Sequence, residues 1–278
     1  MRKLFLHVCL LLAALSGSGQ SANTGKPFVL GSIEQIHSEI LGEDRVLNIY
    51  LPEGYSADDT THYPVIYLLD GSADEDFIHI VGLVQFNSFE WINRVPRSIV
   101  IGIATVDRRR DFTIPSTVEE ERKSFPTTGH SDKFMSFLES ELQPFVNKKY
   151  RTNSVRTLIG ESLGGLFATE VLLKKPSMFD NYIIVSPSLW WDDGSLLKIN
   201  SEVTSKNFTR PLKIFIATGK EGLAPSRSPH VMEVDANLLA EKLKANQNLK
   251  VWLDYLPNED HATVMHQAVY DAFLKLYK

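Results

Sequence analysis

The chain is predicted to be an α/β protein: a mostly parallel sheet of eight strands, helices on both faces, folded as a single domain. Three observations lead there. Strand-like and helix-like segments alternate through most of the sequence, as a parallel sheet with crossover helices requires. Residues 63–69 (Tyr-Pro-Val-Ile-Tyr-Leu-Leu) and 98–104 (Ser-Ile-Val-Ile-Gly-Ile-Ala) are almost continuously apolar, the pattern of strands covered on both sides. A chain of 278 residues that is 43% hydrophobic and 23% charged suits one soluble core of this architecture.

The elements follow in order. Arg2 and Lys3 precede an apolar run over residues 4–15, which gives way to small and polar residues over 16–22. That is the pattern of a secretory signal, and it is shorter than the roughly 20 apolar residues of a membrane-spanning helix. The expectation is a signal peptide over 1–19, a flexible segment over 20–26 and one domain over 27–278. The mature protein would then be exported, periplasmic or secreted, with no membrane span after cleavage. The single cysteine, Cys9, falls within the signal. Its removal would exclude a disulfide framework, a thiol nucleophile and a cysteine-based metal site.

Residues 33–41 and 45–51 read as an opening antiparallel pair, with Gly42-Glu43-Asp44 as the turn. The two buried strands come next. A helix is predicted over 133–147, where Phe134, Phe137, Leu138, Leu142 and Phe145 share one stripe and Glu139 and Glu141 fall off it. Further strands are expected over 155–159, 182–185, 212–217 and 251–256, and further helices over 163–174, 231–244 and 262–277. Residues 106–131 and 186–200 read as long connections, and long ordered loops in such folds tend to line the substrate site.

Charge narrows the function classes. The formal net charge is −5, and no Lys/Arg run is interleaved with aromatic residues. Nucleic acid is therefore excluded as an expected partner. Neither H-E-x-x-H nor a Gly-rich phosphate loop occurs, so no metal and no cofactor is expected.

One motif carries chemistry. Gly160-Glu161-Ser162-Leu163-Gly164 matches G-x-S-x-G between a predicted strand and a predicted helix. That context marks a nucleophile elbow, with Ser162 exposed on a tight turn and glycines letting strand and helix approach closely. The following helix directs its free amides at the turn, so the N–H of Leu163 is positioned to stabilise an oxyanion. In the α/β-hydrolase order of serine, acid and histidine, the base follows Ser162. Of the eight histidines only His230, His261 and His266 do so. His261 is preferred because it follows the last strand through the short loop 257–260.

The acid is less constrained. Glu221 comes directly after the strand over 212–217, whose C-terminal loop commonly bears this carboxylate, and it is preferred. Asp192 and Asp193 follow the preceding strand and are alternatives, Asp260 neighbours the base, Asp254 lies within the last strand, and a Ser-His dyad stays open. The second oxyanion amide is expected from the loop Asp70-Gly71-Ser72, at the N–H of Ser72.

Four stretches together resemble a known family: Tyr67-Leu-Leu-Asp-Gly71, Asp107-Arg-Arg-Arg-Asp-Phe112, Ile159-Gly-Glu-Ser-Leu-Gly-Gly165 and Ser186-Pro-Ser-Leu-Trp-Trp-Asp192. They are similar to the esterase family of α/β hydrolases that includes esterase D-like enzymes and bacterial siderophore esterases. The resemblance runs from about residue 28 to the C-terminus. It implies an α/β-hydrolase fold, no cofactor, a serine nucleophile at Ser162, a base at His261, an acid at Glu221 and oxyanion amides at Ser72 and Leu163. Some siderophore esterases use only serine and histidine, so the resemblance also leaves the dyad open. Trp190 and Trp191 are candidates for an aromatic wall against the substrate, and Arg109 or Arg110 for contact with its carboxylate or catecholate. Packing for the tryptophans, and ion pairing of the arginines with Asp107 and Asp111, are the structural alternatives.

The predicted activity is hydrolysis of a small-molecule carboxylic ester through an acyl-enzyme, with a siderophore or another bulky ester as substrate. An acyltransferase would use the same groups. A peptidase or amidase lacks support from a second, gating domain, and a binding-only protein would be expected to have lost a motif residue.

Overall fold

The computed structural model describes residues 25–277. The expected signal segment 1–19, and Cys9 within it, lie outside the described residues. The chain divides between Leu30 and Gly31, and the compact body from Gly31 onward carries every strand and helix described below. Residues 25–30 have no regular structure.

The body opens with β1 (Ser32–Ser38), β2 (Glu43–Tyr50) and β3 (Tyr63–Leu68), followed by α1 (Phe77–Asn87), β4 (Ile99–Ile103), α2 (Arg108–Phe112) and α3 (Glu119–Ser124). Then come α4 (Ser131–Phe137), a π-helical turn (Leu138–Leu142) and α5 (Gln143–Lys149), which run on as one rod. The remainder alternates: β5 (Thr152–Glu161), α6 (Leu163–Lys174), β6 (Asn181–Val185), α7 (Trp191–Lys198), β7 (Leu212–Gly219), α8 (Met232–Lys244), β8 (Leu249–Leu256) and α9 (Val264–Leu276).

The sheet order is β1-β2-β4-β3-β5-β6-β7-β8. Strands β1, β2 and β4 pair antiparallel, and every pairing from β4 through β3 to β8 is parallel. Buried positions show why the runs behave as they do. All residues of β3, β4 and β6 are buried, because alternate side chains serve opposite helical layers. On one face Tyr67, Leu158, Ile184 and Ile216 join residues of α4, α6 and α8 in one apolar cluster. On the other face α9 lies against β6, β7 and β8 and also packs on α1.

Four features differ from the sequence expectation. The first turn lies at residues 39–42, and Glu43 and Asp44 already belong to β2, opposite Ser38 and His37. Gly42 takes the left-handed φ of +67° and donates its N–H to Ser38 O, while Glu141 accepts from Ser38 Oγ and Ile40 N, so a distant carboxylate sets the turn. Helix α1 had no periodic signal because it is apolar nearly all round, with Ile78 and Phe86 exposed opposite the buried Ile80, Val81 and Val84. The long connections contain α2, α3 and α7, and the first two are only 5 and 6 residues long, too short for a helical period to show. The helix expected as one α-segment over 133–147 contains the π turn, which adds a residue to the ladder before Pro144 opens α5.

Candidate active site

Parallel strands deliver their C-terminal ends to one edge of the sheet, and this is where the chemistry-bearing residues collect. Ser162 directly follows β5, Glu221 follows β7 by one intervening residue, and His261 follows β8 through a short loop. Ser162 occupies φ +58°, ψ −117°, strained for a residue with a Cβ. The strain is held from several sides. Ser162 N–H donates to Val185 O at 3.0 Å, and Ser162 O accepts from the N–H groups of Leu166 at 2.9 Å and Ser188 at 3.0 Å. A Cβ on Gly160 would lie 2.4 Å from Gly164 O, and one on Gly165 would lie 2.8 Å from Val185 O. Those two positions admit only glycine if β5 and α6 are to turn this tightly.

The three side chains form a connected line. Ser162 Oγ is 2.9 Å from His261 Nε2, and His261 Nδ1 is 2.5 Å from Glu221 Oε2. An ionised carboxylate only accepts, so the proton sits on Nδ1 and leaves Nε2 free to accept from the serine hydroxyl. The other oxygen of Glu221 accepts from Ser186 Oγ and from Gly219 N–H, the latter at 3.1 Å. Glu233 of α8 in turn accepts from the N–H groups of Glu221 and Gly222. The loop of His261 is docked on β7, with Lys220 N–H donating to Glu259 O at 2.7 Å. Asp260 accepts from Ala262 N–H at 2.9 Å, and its own N–H donates to Thr263 Oγ1, so it shapes the histidine's turn.

Charge tunes the line. Burial pushes the Glu221 carboxyl up, but hydrogen bonds from His261 and Ser186 outweigh it and hold the group below its ordinary range. His261 is raised above 6.5, chiefly by the hydrogen bond to Glu221, against burial and with the help of the Glu161 charge. Glu161 itself is pushed up to about 7 by burial.

Beside the serine, Asp70 sits at φ +50° on the turn after β3 and binds Arg108 Nε through both oxygens at 3.0 and 2.9 Å. Arg108 Nη2 also donates to Glu161 O, which ties this turn to the serine's. The adjacent loop is pinned by Asn48 Nδ2 donating to Gly71 O and by Gly71 N–H donating to Ile103 O. Ser72 is half-buried next in that loop, and Leu163 lies at the first position of α6.

A cavity of about 390 Å³ opens over Ser162 and His261. Both long connections contribute to it, with Arg109, Phe125 and Thr128 from one and Ser188, Trp190 and Trp191 from the other. Leu223, Ala224 and Pro225 close a third side. Arg109 lies 4.3 Å above the Phe125 ring, a cation–π contact at the cavity wall. Trp190 is at the wall and Trp191 is almost fully buried, its Nε1–H donating to Ile114 O.

Two expectations are corrected. Arg110 faces away from the cavity lining and is bound by Glu43 and Asp111, where it closes a network around the buried Arg45. Asp192 and Asp193 do not reach His261, because Asp192 accepts from Thr117 and Asp193 is engaged by Lys198. His230 is likewise occupied, paired with Asp235 at 2.8 Å. Sequence reasoning did not single out Ser186, Arg108, Asp70, Glu161 or Glu233. The first four lie inside stretches already noted, and only their spatial neighbours distinguish them. Among the described residues, no cluster of three or more His, Cys, Asp or Glu can hold a metal ion, and no helix is long and apolar enough to cross a membrane.

Sheet order, the tight turn after β5 and the cavity at the strand ends define an α/β hydrolase. The chain matches the family model described as "Putative esterase" over residues 38–268. It is 29% identical over 262 residues to the ferri-bacillibactin esterase BesA of Bacillus subtilis, covering 88% of this chain and 89% of that protein. Among solved structures, an IroE-like serine hydrolase from Shewanella oneidensis superposes with a TM-score of 0.78 at 32% identity, covering 89% of this chain and 80% of that one. The BES protein from Bacillus cereus gives 0.76 at 27%, covering 90% and 95%. The chain belongs to this esterase family and is an ester hydrolase.

Proposed function

We propose that the protein is an exported serine esterase in which Ser162 is the nucleophile on a nucleophile elbow, His261 the general base and Glu221 the acid that orients it. The observation that carries this reading is the unbroken line Ser162 Oγ, His261 Nε2, His261 Nδ1, Glu221 Oε2, at 2.9 and 2.5 Å. His261 removes the hydroxyl proton as Oγ attacks the ester carbonyl, and the N–H groups of Leu163 and Ser72 hold the oxyanion. The protonated imidazole gives its proton to the departing alcohol. Water, deprotonated by the same imidazole, then releases the acid from Ser162.

The substrate we favour is a bulky aromatic ester of the siderophore type. The relative is named a ferri-bacillibactin esterase, and the cavity offers Trp190, Phe125 and the two cations Arg108 and Arg109. Aromatic faces and guanidinium groups suit an acyl group that is itself aromatic and anionic. Export rests on the charged, apolar and small-residue pattern over residues 1–22.

The test is active-site labelling with a fluorophosphonate, followed by hydrolysis assays on a catecholate siderophore and on a short aliphatic ester. Stoichiometric labelling that Ser162→Ala and His261→Ala each abolish, with the catecholate ester preferred, is the expected result. Folded wild-type protein that takes no label would overturn the mechanism, and a preference for the aliphatic ester would overturn the substrate.

A further inference from the structure

Trp191, Asp192, Asp193 and Gly194 open α7, and the last three have left-handed backbones, with φ of 50°, 50° and 67°. Two successive residues bearing a Cβ in that region are unusual, although aspartate tolerates it better than most. Gly194 has no alternative, because a Cβ there would meet His230 at 2.9 Å as well as an unfavourable φ. Such strain persists only where surrounding contacts over-determine it.

Asp193 is held by Lys198, whereas the contacts of Trp191 and Asp192 lead to another neighbour, the segment 113–128. Asp192 Oδ1 accepts from Thr117 N–H at 2.6 Å and from Thr117 Oγ1 at 2.7 Å, in a site where Asp192 is buried. Asp192 N–H donates to Glu121 Oε2, and that oxygen also accepts from Ser116 Oγ at 2.5 Å. One residue earlier, Trp191 Nε1–H donates to Ile114 O at 2.9 Å. The segment held in this way carries Phe125 and Thr128 into the cavity, and Phe125 approaches Trp191 with ring centroids 6.1 Å apart.

We infer that Asp192 is a specificity-determining positioning residue, a clasp that holds the 113–128 segment against the tryptophan wall and so fixes the width of the cavity where the aromatic part of an ester sits. Asp192 is not one of the residues lining the cavity over Ser162 and His261. Its carboxylate acts through Thr117, and the strained turn from 192 to 194 is what aims that carboxylate at Thr117. With the clasp intact, Phe125 and Trp190 face a bulky substrate at a fixed separation. Without it, the segment swings and the aromatic contacts are lost, while the groups around Ser162 stay in place because none of them is borne on residues 113–128. The inference rests on the esterase reading above and deepens it.

Two variants isolate the effect. Asp192→Gly removes the carboxylate and relieves the backbone strain, and Thr117→Val removes one donor at nearly constant shape. Each is assayed with 4-nitrophenyl acetate and with the 4-nitrophenyl ester of naphthoic acid, which share a leaving group and differ in bulk. On acetate, kcat/KM should stay within about twofold of wild type, whereas on the naphthoate Asp192→Gly should lower it by ~10-fold or more, mainly through KM. Thr117→Val should show the same split at smaller size. Trypsin cleavage after Arg122 and Lys123 should accelerate in Asp192→Gly with the melting temperature of the body retained. Equal losses on both esters, or no loss on either, overturn the inference. If wild-type protein hydrolyses neither ester, the esterase mechanism fails separately, and unchanged trypsin cleavage in Asp192→Gly overturns the clasp on its own.

Discussion

Replacing Glu221 by glutamine tests the proposed catalytic line more sharply than deleting it. Glu221 Oε1 accepts from Ser186 Oγ and from Gly219 N–H, so in Glu221→Gln that position keeps the amide oxygen. The amide nitrogen then falls where Oε2 stood, against His261 Nδ1. An NH₂ group donates, so Nδ1 must accept and the ring proton moves to Nε2, the nitrogen that faces Ser162 Oγ. The imidazole is then in the tautomer that cannot take the serine proton. Loss of the correct tautomer and of the charge that stabilises the imidazolium is expected to lower kcat by ~10³–10⁴-fold, about 4–5 kcal/mol of transition-state stabilisation. Glu221→Ala should lose less, because water can enter and leave either tautomer accessible. The assay is the acylation rate measured by stopped-flow release of 4-nitrophenol, with fluorophosphonate labelling as a second readout. Activity of Glu221→Gln within tenfold of wild type, or above that of Glu221→Ala, would refute the reasoning and leave a Ser-His dyad.

The remaining predictions concern charge and close packing. Because His261 is raised above 6.5 and must be neutral for the base role proposed above, kcat/KM should rise with pH through a midpoint above that value. Glu161→Gln removes one of the charges that raise it, so the midpoint should move to lower pH in a pH–rate profile. Glu161 itself protonates near 7 in the folded protein against an ordinary 4.5, so its contribution to stability is complete below 4.5 and is lost as pH rises through 7. Glu161→Gln should therefore melt higher than wild type at about pH 8, by ~2 kcal/mol, and show no gain near pH 4. Arg110→Ala should lower stability with KM unchanged, since Arg110 serves Glu43 and Asp111, whereas Arg109→Ala should raise KM for an anionic aromatic ester with stability unchanged. Gly160→Ala forces a Cβ to 2.4 Å from Gly164 O, and fluorophosphonate labelling of the soluble fraction should be lost.

What the sequence by itself determined were the features with a local cause. The apolar runs at 63–69 and 98–104 placed two central strands, because burial on both faces leaves no polar positions. Gly160, Ser162 and Gly164 marked the turn between β5 and α6, because steric demand restricts the residue types that can stand there. The identity of the neighbours across space was decided only by tertiary structure. Arg109 and Arg110 are adjacent and chemically identical, yet one lines the cavity and the other closes a buried ion network, because successive residues of α2 point about 100° apart around the helix axis. Asp192 and Glu221 were both plausible acids by chain order. The parallel order of β5, β6, β7 and β8 brought the loop after β7 to His261, while three left-handed residues turned Asp192 toward Thr117. A carboxylate's role depends on which donor it meets at 2.5 to 3 Å, and across the 40 residues separating Glu221 from His261 that distance is set by the sheet.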